Sequence, residues 1–319
     1  MAVYTEVTDE MLEAFLDRYD LGRPVAFRGI AEGVENSNYS LRTTVGDFIL
    51  TLYERRVDPI DLPWFLGLME HLSARGLPCP LPVRDRTGSN LNPLAGRIAA
   101  ITSFLPGVWP RKPGVHHCAK LGAALAQLHL AGADYAAERA NSLGPASWRP
   151  LLRRCDTEAD NLKTGLTTDL EQTLDIIDAR WPVRIPRGQI HADLFPDNVF
   201  FLDGNVSGLI DFYFAATDFY AYDVAICLNA WCFESDYTFN VTKSQALLRG
   251  YLTHRSLEEA EREALPVLCQ GAAVRFLLTR LYDWLNTPPG ALVTRKDPLA
   301  YWRRLRFHRS VRSGADYGL

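Results

Sequence analysis

Three polar side chains that could do chemistry together lie close to one another in the chain. Asp193 and Asn198 occupy the segment 189–198, and Asp211 follows two apolar runs that meet at residues 203–205. Apolar runs joined by an Asp-Gly turn predict a β-hairpin. A carboxylate, an amide and a second carboxylate are therefore presented at fixed spacing around one hairpin.

This set suits the transfer of a phosphoryl group. The transferred group carries charge that a metal must neutralise, while a base accepts the proton of the attacking hydroxyl. Residues 191–198 match the kinase loop His-x-Asp-Leu-x-x-x-Asn, apart from its variable second position. We predict that Asp193 is the catalytic base, that Asn198 and Asp211 bind Mg²⁺, and that His191 supports the loop.

The same residues also have a simpler interpretation. Asp193, Asp197 and Asn198 are common loop formers beside Pro196, and the Asp-Gly pair at 203–204 would close a hairpin in any protein. The loop pattern alone arises by chance, so the hairpin and the second aspartate favour the kinase. A kinase fold that has lost its activity is a further alternative.

The first third of the chain predicts a small sheet with a helix. Ser37–Thr43 and Asp47–Tyr53 have the apolar and β-branched character of paired strands. Residues 62–75 predict a helix, which ends at a glycine and a proline-rich segment. Residues 97–104 predict a further strand.

Prolines and glycines between residues 106 and 114 interrupt this pattern and suggest a connection between lobes. We predict an α+β fold with a nucleotide-binding lobe at 1–105 and a catalytic and substrate-binding lobe at 106–319. Helical periodicity dominates the second lobe. Its apolar faces lie at 120–131, 223–233 and 272–285.

Composition limits the classes of partner. A formal net charge of -4 without a basic block argues against nucleic acid. The sequence contains no run of 18 apolar residues, the pattern that predicts a membrane span. The first ten residues are too acidic for a targeting segment. Six cysteines without Cys-x2-Cys spacing predict reduced, buried thiols. We expect a cytoplasmic protein with small-molecule partners, no membrane or nucleic acid, and no inferred protein partner.

Residues 190–201 and 208–233 resemble the bacterial homoserine kinases of the aminoglycoside-phosphotransferase-like superfamily. The similarity extends to 33–39, 49–54 and 280–284, so it spans most of the chain. It implies a bilobal protein-kinase-like fold and ATP-dependent phosphorylation of L-homoserine to O-phospho-L-homoserine for threonine biosynthesis. The spacing of the polar residues alone predicts only a kinase and does not identify its substrate. A kinase for an aminoglycoside, choline or methylthioribose, and a non-catalytic nucleotide-binding module, remain alternatives.

The resemblance places the nucleotide on the first lobe. Gly33, Asn36, Ser37 and Asn38 are expected to surround phosphate in place of the Gly-x-Gly-x-x-Gly loop of protein kinases. A polar turn without a ligand is the alternative. The adenine is expected against the backbone of three residues in the interlobe connection, Ser103, Phe104 and Leu105.

One position departs from the superfamily pattern. Thr51 stands where the superfamily usually has the lysine that contacts the α- and β-phosphates. Arg55 or Arg56 is a candidate substitute, although an exposed arginine pair more often faces water.

L-Homoserine is a zwitterion, so its pocket must supply a carboxylate for the ammonium group and donors for the carboxylate. Asp218, Arg275 and Arg280 are the candidates, and for each an ordinary ion pair is the alternative. Asp223 is expected either to cap the following helix or to hydrogen-bond the catalytic loop. His129 is expected to be a buried, hydrogen-bonded histidine rather than a metal ligand.

Overall fold

The computed structural model describes residues 4–30, 36–54, 58–155, 158–287 and 295–319. Within it the chain forms two compact units. The first comprises Met1–Gly107 and Ser207–Tyr213, and the second comprises Val108–Val206 and Phe214–Leu319.

The first unit contains a five-stranded antiparallel sheet with strand order β1-β2-β3-β5-β4. Its elements are α1 (Asp9–Leu16), β1 (Pro24–Gly29), β2 (Ser37–Thr43), β3 (Asp47–Tyr53), α2 (Leu62–Ala74), β4 (Asn92–Leu94) and β5 (Arg97–Ser103). The predicted strands at 37–43 and 47–53 are confirmed at these bounds. The predicted helix and third strand each end one residue earlier than expected.

Alternation along β2 and β3 gives the sheet two different faces. One face is apolar and packs against α1, while the other carries Asn38 opposite Thr51. Both faces of β3 are covered, because all four residues from Leu50 to Tyr53 are buried. The core between this face and α1 contains Leu12, Phe15, Leu16, Tyr39, Leu41, Leu50 and Leu52.

The segment 207–213 returns to the first unit late in the chain. The hydroxyl of Ser207 donates to the carbonyl of Pro106 over 2.6 Å, and the amide of Leu209 donates to the carbonyl of Pro78 over 2.8 Å. Asp211 therefore belongs to the first unit. The prediction of one boundary near residue 105 did not include this return.

The second unit is mainly helical, and the predicted α+β class is confirmed. Its strands form two small pairs, β6 with β9 and β7 with β8. Its elements are α3 (Val115–Ala131), α4 (Pro145–Cys155), α5 (Glu158–Leu162), α6 (Leu166–Arg180), β6 (Arg187–Ile190), β7 (Val199–Leu202), the start of β8 (Asn205–Leu209), β9 (Ala216–Phe219), α7 (Tyr220–Trp231), α8 (Val241–Leu252), α9 (Glu259–Asn286) and α10 (Leu299–Ser310). The last three residues of β8 belong to the first unit.

The longest helix, α9, forms the centre of the second unit. It has the length and apolar composition of a membrane span, but 83% of its most apolar stretch is buried inside the protein. It packs against α4, α6, α7 and α10. Its apolar character therefore serves the core of this unit.

Two glycines let α3 and α8 approach closely. A Cβ atom on Gly122 would overlap the carbonyl of Leu247, and one on Gly250 would overlap the carbonyl of Ala119. Because neither glycine has a side chain, the two helix backbones are in contact. This packing fixes the position of α3, whose last turn contains His129.

Candidate active site

The loop between β6 and β7 carries Asp193 and is held by a buried carboxylate from α7. Asp223 accepts hydrogen bonds from the amides of His191, at 2.7 Å, and Ala192, at 2.9 Å. Ala192 has a φ of 61°, a left-handed conformation that is unfavourable for a residue with a Cβ atom. The two hydrogen bonds offset this cost and fix the direction in which the chain enters Asp193.

Asp223 is itself held by His129 of α3. Nε2 of His129 lies 3.2 Å from Oδ2 of Asp223, and Nδ1 lies 2.8 Å from the hydroxyl of Tyr251. Burial lowers the pKa of His129, so the ring is neutral and donates from Nε2. Burial alone would raise the pKa of Asp223, but hydrogen bonds from His129 and from the amide of His191 outweigh it and lower the pKa. The carboxylate is therefore ionised.

The loop is also braced through its carbonyl groups. Nη1 of Arg275 donates to the carbonyl of Ala192, and Nε1 of Trp231 donates to the carbonyl of Leu194 over 2.8 Å. The expectation that Arg275 binds substrate is corrected here. Its side chain is almost fully buried, because α9 places it beneath the loop, where it supports the backbone.

Asn198 and Asp193 are joined across the loop. Nδ2 of Asn198 donates to the carbonyl of Asp193, at 2.8 Å, and to its Oδ2, at 3.3 Å. The amide of Asp193 donates in turn to Nδ1 of His191 over 3.3 Å. Because both partners of Asn198 are acceptors, its nitrogen must face them and its Oδ1 faces away.

This orientation of Asn198 suits a divalent cation. Within the described ranges, no group of three or more His, Cys, Asp or Glu side chains is assembled around a metal position. Mg²⁺ does not require such a cage, since it is usually bound by one or two side-chain oxygens together with phosphates and water. The amide oxygen of Asn198 and the carboxylate of Asp211 are each ligands of the kind that Mg²⁺ takes.

Asp211 lies in the first unit, directly after β8, with a φ of 67°. Its charge acts on two tyrosines whose hydroxyl groups are 3.0 Å apart, Tyr53 and Tyr213. Burial and, to a smaller extent, the charge of Asp211 raise the pKa of Tyr213 to about 12, against the hydrogen bond from Tyr53. The conformation of Asp211 is, like that of Ala192, a strained one of the kind common at functional sites.

The expectation that the hydroxyl of Ser37 binds phosphate is wrong. Its Oγ accepts from the amides of Tyr4, at 2.8 Å, and Thr5, at 3.1 Å, and donates to Glu54 over 2.7 Å. These three bonds use the donor and both acceptor sites of a hydroxyl. Alternation along β2 places Ser37 on the same face as Leu41, so the side chain is buried beside α1.

The other nucleotide candidates of this region have different environments. Gly33 lies outside the described residues. Oδ1 of Asn36 accepts from the amide of Glu54 over 3.3 Å, and Oδ1 of Asn38 accepts from the hydroxyl of Thr51 over 2.8 Å. Neither Nδ2 group donates to a residue in the described part of the chain. The two side-chain amides remain candidates as donors to phosphate.

Thr51 has no charge to replace the usual lysine, and its hydroxyl is committed to Asn38. The proposed substitutes, Arg55 and Arg56, lie outside the described residues.

The connection after β5 offers fewer amide donors than expected. The amide of Ser103 donates to the carbonyl of Leu81, and the amide of Phe104 donates to the carbonyl of Asp47. The expectation that all three residues pair with adenine is therefore corrected for these two amides, which are already hydrogen-bonded within the first unit. Leu105 makes no backbone hydrogen bond with the described residues and is the one that remains.

Asp218 lies at the other end of β6 from the catalytic loop. It pairs with Gly188, whereas Asp193 follows the last residue of β6, Ile190. At about 3.3 Å per residue, the backbone of Asp218 is roughly 10 Å from the start of the loop. Two side chains and a bound substrate can span this distance, so the assignment of the substrate ammonium group to Asp218 stays a prediction.

Asp218 also has local partners. Nδ2 of Asn141 donates to Oδ2 of Asp218 over 2.8 Å, and the amide of Phe219 donates to Oδ1 over 2.7 Å. Burial raises the pKa of Asp218, although the hydrogen bonds from Asn141 and Phe219 act to lower it. The residue lines a cavity of about 460 Å³ together with Asn141, Arg184 and Arg187.

The last substrate candidate, Arg280, lies on α9 beyond Arg275. Its guanidinium carbon is 4.5 Å from the ring centroid of Tyr301. Burial lowers its pKa, and Asp193 is one of the charges that oppose this. The structure thus brings Arg280 into the electrostatic neighbourhood of the catalytic loop.

Sequence reasoning did not identify the residues that hold the loop from a distance. His129 was expected only as a buried, hydrogen-bonded side chain, which is confirmed, but its link to Asp223 spans 94 positions. Trp231 was predicted only as part of the apolar helical face at 223–233. No spacing signal connects these residues to Asp193, because they meet it through tertiary packing.

Asp223→Asn should disturb the conformation of the catalytic loop more than it disturbs the overall fold. The amide would place a donor opposite one of two backbone donors, so we expect a loss of about 3 kcal/mol in unfolding free energy. Displacement of Asp193 should lower kcat about 100-fold with nearly unchanged ATP affinity. Urea unfolding, steady-state kinetics and ATP titration measure these effects.

Asp178→Asn is the matched control, because Asp178 forms an exposed ion pair with Arg149 and should change stability by less than about 1 kcal/mol. A folded Asp223→Asn protein with the parental kcat would contradict the support that we assign to Asp223.

Comparison with known proteins gives the family. Residues 26–260 match the model of the phosphotransferase enzyme family. The homoserine kinase of Acidiphilium cryptum is 73% identical over 319 residues, covering 100% of both chains. That of Granulibacter bethesdensis is 68% identical over 319 residues, again with 100% of both chains covered.

Solved structures give the fold. Spectinomycin phosphotransferase aligns with a TM-score of 0.68 over 98% of this chain and 97% of its own, at 12% identity. Amicoumacin kinase aligns with a TM-score of 0.68 over 94% and 93%, at 16% identity. These likenesses confirm the predicted protein-kinase-like fold class. Because the family model covers most of the chain and the relatives match it from end to end, the chain belongs to the phosphotransferase enzyme family and groups with its homoserine kinases.

Proposed function

We propose that the protein transfers the γ-phosphoryl group of ATP to the side-chain hydroxyl of L-homoserine, giving O-phospho-L-homoserine for threonine biosynthesis. The observation that carries the chemistry is the loop in which Asp223 fixes the backbone leading into Asp193. The full-length relatives named homoserine kinase support the choice of substrate. A cytoplasmic location remains a prediction, as does the absence of nucleic-acid, membrane and protein partners.

Asp193 is the proposed catalytic base. In the reaction its carboxylate accepts the hydrogen bond of the substrate hydroxyl and takes the proton as the oxygen bonds to the γ-phosphorus. The bond from that phosphorus to the β–γ bridging oxygen breaks at the same time, and ADP leaves. The hydrogen bond from Asn198 to Oδ2 restricts the rotation of this carboxylate. The enzyme therefore presents the base in one orientation before the substrate arrives, which lowers the entropic cost of the step.

Asn198 and Asp211 are the proposed ligands of Mg²⁺. Asn198 precedes β7 and Asp211 follows β8, so the two residues flank the hairpin in the chain. Bound Mg²⁺ would neutralise charge on the nucleotide phosphates. Asn198 would contribute its Oδ1, because its Nδ2 is directed at Asp193.

The nucleotide is proposed to contact the first unit. Asn36 and Asn38 can donate from their Nδ2 groups, and the backbone of Leu105 can pair with the adenine edge. Gly33 stays a prediction from sequence.

Coupled ADP release with L-homoserine, choline, methylthioribose and kanamycin tests the proposed substrate. A site that pairs both charges of homoserine leaves its own groups desolvated with other alcohols, at a cost of about 2 to 5 kcal/mol. We therefore expect kcat/KM for L-homoserine to exceed the others by about thirty- to several-thousand-fold. Reactions without an acceptor correct for ATP hydrolysis. Equal or faster phosphorylation of choline or kanamycin would overturn the assignment of homoserine as the substrate. The protein would still be a kinase.

Asp211→Ala tests the proposed metal ligand. Loss of a metal carboxylate should raise the Mg²⁺ concentration needed for half-maximal activity by about tenfold or more and also lower kcat. Magnesium titration at saturating ATP measures both effects.

Asp203→Asn provides the control for Asp211→Ala, since it removes a charge from the exposed turn of the same hairpin and asparagine tolerates the positive φ there. If Asp211→Ala has the same magnesium dependence as this control, Asp211 is not a ligand.

A further inference from the structure

The second half of α9 runs along the catalytic loop. Below the loop, Arg275 donates to the carbonyl of Ala192. One residue further, the ring of Phe276 packs edge-on against Phe195 with centroids 4.9 Å apart. Arg280 lies four residues after Phe276 and therefore on the same side of the helix.

Tyr301 of α10 connects these groups. Its ring lies 5.3 Å from that of Phe276, and the guanidinium of Arg280 lies 4.5 Å from its centroid. Arg304 lies at the same distance from this ring. A guanidinium stacked on an aromatic face is restrained in direction while its N–H groups stay available in the plane.

Arg280 differs from its neighbours in having no polar partner. Arg304 donates to the carbonyl of Asn229, and Arg303 pairs with Asp297. Arg280 makes no hydrogen bond or ion pair with any residue that the structure describes, although its side chain is half-buried. A partly desolvated cation without a hydrogen-bond or ion-pair partner is unfavourable, so this position is suited to an anionic ligand.

The hydroxyl of Tyr301 gives a second, independent indication that a ligand binds beside Arg280. It is buried and has no hydrogen-bond partner among the described residues. Buried hydroxyls are nearly always satisfied. Tyr301 and Arg280 both interact electrostatically with Asp193, so both groups lie near the catalytic loop.

We propose that Arg280, together with the hydroxyl of Tyr301, binds the α-carboxylate of the amino-acid substrate and selects for alcohols that carry one. This inference rests on the proposed function, because it concerns the acceptor of the same reaction. A guanidinium can hold a carboxylate through two parallel hydrogen bonds, which fixes the orientation as well as the charge of the ligand. The substrate would then be anchored at its carboxylate while its hydroxyl reaches Asp193.

Three phosphoryl acceptors distinguish the contributions of the two charged groups of the substrate. L-Homoserine carries both groups, 3-amino-1-propanol lacks only the carboxylate, and 4-hydroxybutyrate lacks only the ammonium group. Arg280→Gln should lower kcat/KM about thirty- to a thousand-fold for L-homoserine and for 4-hydroxybutyrate. For 3-amino-1-propanol the change should stay within about threefold, since the lost interaction does not exist there.

Two further variants isolate the contacts. Tyr301→Phe keeps the ring and removes the hydroxyl, so it should lower kcat/KM about five- to twentyfold for the two carboxylates alone. Arg304→Gln removes the guanidinium stacked on the same ring at the same distance. It should leave the ratio of L-homoserine to 3-amino-1-propanol unchanged even if it lowers stability.

The outcomes are distinguishable. An equal loss for all three acceptors in Arg280→Gln would mean that the guanidinium contacts the transferred phosphate or supports the fold, and would overturn the proposal. A parental ratio of L-homoserine to 3-amino-1-propanol in Arg280→Gln would also overturn it. Failure of the proposed function would be visible earlier, because the unmodified enzyme would then show no preference for L-homoserine over choline or kanamycin.

Discussion

The buried carboxylate of Asp223 is the interaction on which the rest of the site depends. It accepts from two successive amides of the catalytic loop and from His129. Removing a carboxylate from water is costly, and it is tolerated only when its oxygens are matched by donors. The same donors hold Ala192 in a left-handed conformation, and that conformation turns Asp193 out of the strand direction.

The helices of the second unit can be understood as the support for this carboxylate. α7 supplies Asp223, α3 supplies His129, and α8 supplies the Tyr251 hydroxyl that fixes the tautomer of His129. The close packing of α3 and α8 through glycine leaves little freedom for this chain of hydrogen bonds to shift. α9 braces the loop from its carbonyl side through Arg275, so the base is held from two directions.

Much of this arrangement follows from local sequence, and part of it does not. The strands at 37–43 and 47–53 and the α+β class were predictable, because alternation and turn residues act over short distances. The face to which Ser37 points, the use of the Ser103 amide by Leu81 and the burial of Arg275 depend on partners far along the chain. Asp218 was assigned to the substrate by charge alone, and its place opposite Gly188 is set by strand register, which local sequence does not reveal. For Asp223, helix capping was an open alternative, but the helix begins at Tyr220, so Asp223 lies inside its first turn and is not the N-cap.

The central claim is that this support exists to present Asp193 as the base that deprotonates the acceptor hydroxyl. The most direct test is the turnover of Asp193→Asn with L-homoserine, measured beside its affinity for ATP. Loss of a positioned base should lower kcat by about two to four orders of magnitude, and ATP affinity should stay close to that of the parent. Turnover within about threefold of the parent would contradict the account, because the loop would then be held in place for a residue that the reaction does not use.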